Sequence, residues 1–183
     1  LIAEGGIELV GSGHAQLVGP LVPAQVVAAN LRLGLDAYRR HLDARPRLAL
    51  VNEQAWSGGL VAHYRDAGFE AVVMDWDNPA AHHRDWNREW RYLPQRALGG
   101  DGAEIALLWS NTVAFQKLQR LAHGDIESAE YLGWVEGRVG EVPRALALYT
   151  NDAECFDFRP GRFVTEERLH GDGEWTRIAR AFA

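Results

Sequence analysis

Short, uninterrupted apolar runs recur along this chain at intervals too long for hairpins. They restrict its fold more than any other feature. Arg47-Leu48-Ala49-Leu50-Val51, Ala71-Val72-Val73-Met74, Ile105-Ala106-Leu107-Leu108-Trp109 and Ala145-Leu146-Ala147-Leu148-Tyr149 show no polar alternation. That is the pattern of strands buried on both faces of a parallel sheet. A shorter run, Ile7-Glu8-Leu9-Val10, leads into Gly11-Ser12-Gly13. The intervals have helical periodicity. Pro23 suits a helix start, and Val27, Leu31, Leu35, Tyr38 and Leu42 share the face that follows. Ser57 is expected to cap a helix through Tyr64 to Ala67, ended by Gly68. Asn111 or Ser110 should cap a helix packing Ala114, Phe115, Leu118 and Leu121. A further helix from Ile126 to about Val139 should turn Tyr131, Leu132 and Val135 inward. Strands alternating with helices predict an α/β fold with a parallel sheet, as one domain over residues 1–183.

Composition narrows the class. The chain is 47% hydrophobic and 24% charged, as globular proteins are, and its net charge of −6 argues against nucleic acid as a partner. Lys117 is the one lysine among 19 basic residues, a compositional bias and not a site. The single cysteine, Cys155, excludes a disulfide framework and fits a reducing, cytoplasmic setting. No apolar run approaches the 18 or more residues of a membrane span, so no membrane partner is expected.

In α/β barrels chemistry gathers where strands end. Two strand ends carry acids: Val51-Asn52-Glu53-Gln54, and Thr150-Asn151-Asp152-Ala153-Glu154. Such carboxylates serve as helix caps or rim ion pairs as readily as catalysts. Two facing each other across a cleft would suit glycoside hydrolysis. Residues 77–102 show no clear periodicity and read as one long loop, rich in Trp, His, Asn and Arg. Trp76, Trp86 and Trp90 flank or lie in it. Flat aromatic faces stack on sugar rings, and equally well pin a loop to a scaffold. His82-His83 with Asp77 or Asp85 matches no standard zinc spacing, so neither metal nor cofactor is expected. Gly11-Ser12-Gly13 is not a phosphate loop, Cys155 has no nucleophile pattern around it, and no Gly-X-Ser-X-Gly elbow occurs.

The order of these segments resembles glycoside hydrolase family 57. Gly6-Ile7-Glu8-Leu9-Val10-Gly11-Ser12-Gly13 through Pro23 is similar to the family's second conserved region. Val51-Asn52-Glu53-Gln54-Ala55-Trp56 stands in the place of the third, and Asp152-Ala153-Glu154-Cys155-Phe156 is similar to the Asp-X-Glu-X-Phe of the fourth. Leu108-Trp109-Ser110-Asn111 through Gln116 looks like the family's strand-to-helix segment after the nucleophile. The resemblance implies an incomplete (β/α)7 barrel and a retaining enzyme on α-glucans, α-amylase-like or a glucan transferase. Glu53 would be the nucleophile and Asp152 the general acid/base, about 5–5.5 Å apart. His14, Trp56, Trp76, Trp86, Trp90, Trp109 and Glu154 are the expected substrate-binding residues.

The departures carry expectations of their own. The family's His-Gln-Pro motif is absent, its fifth region is not recognisable after Arg162, and His14 and Gln16 stand where the second region has other residues. With a start at Leu1 that reads like a helix end, the chain is expected to be a piece of the barrel lacking the first strand. The alternative is a catalytically silent carbohydrate-binding homologue. A metal-dependent polysaccharide deacetylase would need an Asp-His-His set that the 7 histidines do not assemble.

Overall fold

The computed structural model describes residues 2, 4–6, 8–100, 102–140, 144, 156 and 171–183. The chain divides into two compact units, one of Leu1–Asp75 with Leu93–Trp109 and one of Trp76–Tyr92 with Ser110–Ala183.

The first unit holds a five-stranded sheet in the order β1-β2-β3-β5-β4. The strands are β1 Val10–Gly11, β2 Leu48–Leu50, β3 Ala71–Asp75, β4 Gln95–Leu98 and β5 Glu104–Ser110. β1, β2 and β3 are parallel neighbours, with Val10 opposite Leu48 and Leu48 opposite Ala71. Helix α1, Ala24–Leu42, makes the crossover from β1 to β2, and α2, Leu60–Ala67, the crossover from β2 to β3. The described strands do not close on themselves. Ala49 and Val72 on the strands and Leu31, Leu60 and Val61 on the helices share one apolar core. Removing each larger member from water stabilises the fold by about 1.5–3 kcal/mol.

Several details differ from the sequence reading. The sheet is mixed, because β4 pairs antiparallel with β5, Ala97 opposite Ile105. Its sequence Gln-Arg-Ala-Leu buries only Ala97, so it has no apolar signature; it exists because β5 offers a partner. Ser57 does not cap α2 with its hydroxyl: its carbonyl accepts from the Leu60 N–H at 3.0 Å, and Gly59 is the cap. Gly68 does end α2, in left-handed backbone at φ 93°. Leu42 is 47% exposed, since the buried stripe of α1 stops at Gly34.

The second unit is helical: α3 Asp77–His82, α4 Thr112–His123, α5 Ser128–Val139 and α6 Glu174–Ala181. The Asn111 side chain caps α4 by accepting from the Ala114 N–H, as the residue type predicts. Leu118, Leu121, Ile126, Tyr131 and Ala181 form the core, whereas Leu132 stays on the surface of α5. The expected long loop is thus broken by α3, a 3₁₀ turn at Arg88–Tyr92, and β4. α3 is six residues with no buried side chain, too short for a readable stripe. The expected strand Ala145–Tyr149 lies outside the described residues.

Candidate active site

Glu53 follows directly on β2. Ladder pairing continues one residue past that strand, with the Val51 N–H donating to the Val73 carbonyl at 3.1 Å. The backbone then turns sharply: Glu53 sits at φ 56°, ψ 13°, and Gln54 at φ 53°. Left-handed backbone at a residue with a Cβ costs roughly 1–3 kcal/mol and persists where the surroundings over-determine it. Here they do. The Gln54 side-chain oxygen accepts from the Asp75 N–H at 2.6 Å, tying the turn to the end of β3. The Asn52 amide donates to the Ala15 carbonyl at 3.2 Å, tying it to the loop after β1. Below the turn Tyr64 is buried. Desolvation pushes its phenol up to about 12, opposed by a hydrogen bond with the Asn52 backbone.

The loop after β1 brings a further side chain to Glu53. The Gln16 amide donates to the Glu53 carboxylate. Gln16 is in place because α1 grips residues 12–15 through one face, Asn30, Gly34 and Tyr38, spaced at single helical turns. Asn30 accepts from the Ala15 N–H at 2.8 Å and donates to the Ala15 carbonyl at 2.9 Å. The Asn30 carbonyl accepts from the His14 N–H at 3.0 Å, and the Tyr38 hydroxyl from the Ser12 N–H at 3.0 Å. The approach leaves no room for side chains. A Cβ on Gly13 would stand 1.9 Å from the Asn30 amide nitrogen, and one on Gly34 2.6 Å from the Ser12 carbonyl.

The result is an exposed carboxylate at a strand end, one oxygen engaged by an amide donor, in a turn fixed from two sides. Such a group can attack an electrophilic carbon, with its orientation set before a ligand arrives. Of the other expected residues in this unit, His14 is exposed two residues from Gln16, and Trp56 and Trp109 are partly buried against the apolar core. Asn30 and Gln54 were missed by sequence reasoning. Asn30 had a readable signal, a polar residue inside the stripe of Val27 and Leu31, where a buried amide must find partners. Gln54 had none.

In the second unit Trp76 is 3% exposed, while Trp90 is 40% exposed. Trp86 stacks flat on His83, ring centroids 4.5 Å apart and planes within 6°, and lies 5.6 Å from Trp76 and 6.3 Å from Trp90. Arg91 lies over the Trp76 ring at 5.9 Å. A cavity of about 550 Å³ is lined by Trp76, His83, Arg84, Trp86, Arg88 and Arg91. Among the described residues, no group of three or more His, Cys, Asp or Glu is arranged for a metal ion. No described helix is long and apolar enough to cross a membrane. Asp152, Glu154 and Cys155 lie outside the described residues, and with them the separation of Glu53 from Asp152.

A sheet of mainly parallel strands with crossover helices, and a braced carboxylate at a strand's carboxyl end, defines a protein of the α/β class with its candidate chemistry at a strand end. Its profile over residues 1–167 is that of glycosyl hydrolase family 57, and the chain belongs to that family. A 4-α-glucanotransferase from Thermococcus litoralis matches 100% of this chain with 26% of its own, at TM-score 0.76 and 24% identity. An α-amylase from Thermotoga maritima matches 86% of this chain with 43% of its own, at TM-score 0.66 and 14% identity. An exo-type maltose-forming amylase from Pyrococcus sp. ST04 matches 94% with 28%, at TM-score 0.57 and 12% identity. At these identities the likeness is one of fold, and the chain spans less than half the length of each. No curated protein matches it in sequence.

Proposed function

We propose that the chain acts on α-glucans as a retaining glycoside hydrolase or glucan transferase, α-amylase-like in chemistry. A Glu53 carboxylate oxygen bonds to the anomeric carbon as the glycosidic bond breaks, while Asp152 gives its proton to the departing sugar oxygen. Asp152 then takes a proton from water or an acceptor sugar, whose oxygen displaces Glu53. The hydrogen bond from Gln16 occupies one Glu53 oxygen and leaves the other for attack.

One observation carries the reading: an exposed glutamate held in left-handed backbone at the end of β2, with Gln16 directed at its carboxylate. Strain maintained at an exposed acid points to use. The substrate class follows from the family and from the glucanotransferase and amylases that share the fold. We propose a cytoplasmic setting, with which a single cysteine is consistent. The test is incubation with maltooligosaccharides and separation of the products, beside the Glu53→Gln chain. Shorter or redistributed glucans from the native chain and none from the variant are expected. A variant as active as the native chain would remove Glu53 from the mechanism.

A further inference from the structure

The cavity beside Trp76 and Trp86 carries charge that an uncharged glucan has no use for. It is built from one stretch of the second unit, residues 76–91, and its volume of about 550 Å³ is that of a small-molecule site. Arg84, Arg88 and Arg91 line it against one acid, Asp77. The Asp77 carboxylate already accepts from the Thr112 N–H at 2.9 Å. The neighbouring acids do not compensate: Glu89 pairs with Arg144 at 2.6 Å, and neither Glu89 nor Asp85 lines the cavity. Among the described residues, no hydrogen bond or ion pair engages the guanidinium of Arg84 or Arg88. Arginine supplies nearly every cation of this chain, so its presence alone decides nothing. What decides is that three guanidiniums share a cavity with one occupied acid, in a chain of net charge −6.

The walls keep the arrangement in place. The Arg91 Nε donates to the Arg88 carbonyl at 2.9 Å, and its guanidinium lies over the Trp76 and Tyr92 rings at 5.9 and 5.4 Å. The stack of His83 on Trp86 supplies a flat aromatic wall beside these cations. Guanidinium forks match the oxygens of a phosphate group, and several together suit its double charge. A flat wall suits the apolar face of a ring. We propose that this cavity binds a phosphate monoester carried on a sugar, either a free hexose phosphate or a phosphorylated glucose unit of a glucan. The phosphate lies among Arg84, Arg88 and Arg91, and the sugar ring against the aromatic wall. The assignment goes beyond the glycosidase reading and does not rest on it, since Glu53 belongs to the other unit.

Calorimetric titration of the full chain tests this, with Glu53→Gln in place so that no ligand is cleaved. The probes are glucose 6-phosphate, phosphorylated maltodextrin, their unphosphorylated counterparts and inorganic phosphate. At least one of the two esters should bind at least about tenfold more tightly than inorganic phosphate and than its own unphosphorylated counterpart. The tighter of the two esters names the source, free sugar or glucan. Arg84 and Arg88 are exposed, so a chain carrying Arg84→Gln and Arg88→Gln should fold, and it should bind that ester at least about tenfold more weakly. Arg40→Gln, at an exposed arginine of the first unit, should leave the affinity unchanged. The proposal is overturned if neither ester exceeds inorganic phosphate, if the unphosphorylated counterpart binds as tightly, or if the double arginine variant keeps native affinity. A native chain that leaves maltooligosaccharides intact would sink the glycosidase reading instead, and the titration would still decide this one.

Discussion

At the scale of single residues, Glu53 couples an unfavourable backbone to an exposed acid, and the two can be measured separately. Glu53→Gly frees the turn of its Cβ, whereas Glu53→Ala keeps the strain and loses the carboxylate. The glycine variant should therefore be more stable than the alanine variant by about 1 kcal/mol in urea unfolding, with both inactive. Equal stabilities would show that the turn is relaxed. Gln16→Ala removes a donor to a charged acceptor, an interaction worth about 1.5–3 kcal/mol, and should cost roughly 10- to 100-fold in kcat. Retained kcat would show that Gln16 only rests beside the acid. Tyr64 gives an alkaline signature. Its phenol titrates at about 12 in the folded chain against about 10 when unfolded, so the unfolded state loses its proton first as pH rises. The stability held by the neutral phenol is intact below pH ~10 and is lost between about 10 and 12, up to roughly 2–3 kcal/mol. Tyr64→Phe should remove that part of the alkaline loss. A variant whose urea midpoint falls as steeply as the native one between pH 9 and 11 would contradict this.

Among the elements, α1 does two jobs. Its apolar face closes the core through Val27 and Leu31, and the adjoining Asn30, Gly34 and Tyr38 hold the loop that carries Gln16. Asn30→Ala leaves the Ala15 N–H without its acceptor and the Ala15 carbonyl with the Asn52 amide alone. It should destabilise the chain by about 1–3 kcal/mol and lower kcat alongside, since Gln16 is released. A stable Asn30→Ala chain with native kcat would show the loop held by other means. The core face of α1 was legible because apolar spacing at a helical period is a strong signal over 19 residues. The elements between 77 and 98 were not. α3 is six residues, and β4 buries one side chain, so neither leaves a periodic trace. Their order comes from partners distant in sequence. The Asp77 carboxylate accepts from the Thr112 N–H at 2.9 Å, and β4 pairs with β5.

For the whole molecule, sequence pattern was enough for the α/β class and for the strand that ends at the nucleophile candidate. Buried strands repeat a simple composition, and the acid that follows β2 stands out at the end of such a run. What escaped was the support: amide side chains such as Gln54 act through geometry, and a glutamine in a turn looks the same whether it braces a strand or faces water. The mechanism proposed for the chain predicts its stereochemistry. Because two displacements occur at one carbon, products of α-glucan cleavage should emerge with the α configuration, visible by proton NMR before mutarotation. Initial β product would exclude a covalent role for Glu53.

The turn at Glu53 also bears on what descendants of this chain can become. On the proposed mechanism, selection for catalysis keeps a side chain at Glu53 in a conformation better suited to glycine or asparagine. Once turnover ceases to matter in a lineage, that selection lapses and the folding preference of the site remains. Drift at this position should then favour Gly and Asn, leaving a fossil of lost activity that is chemically distinct from random decay.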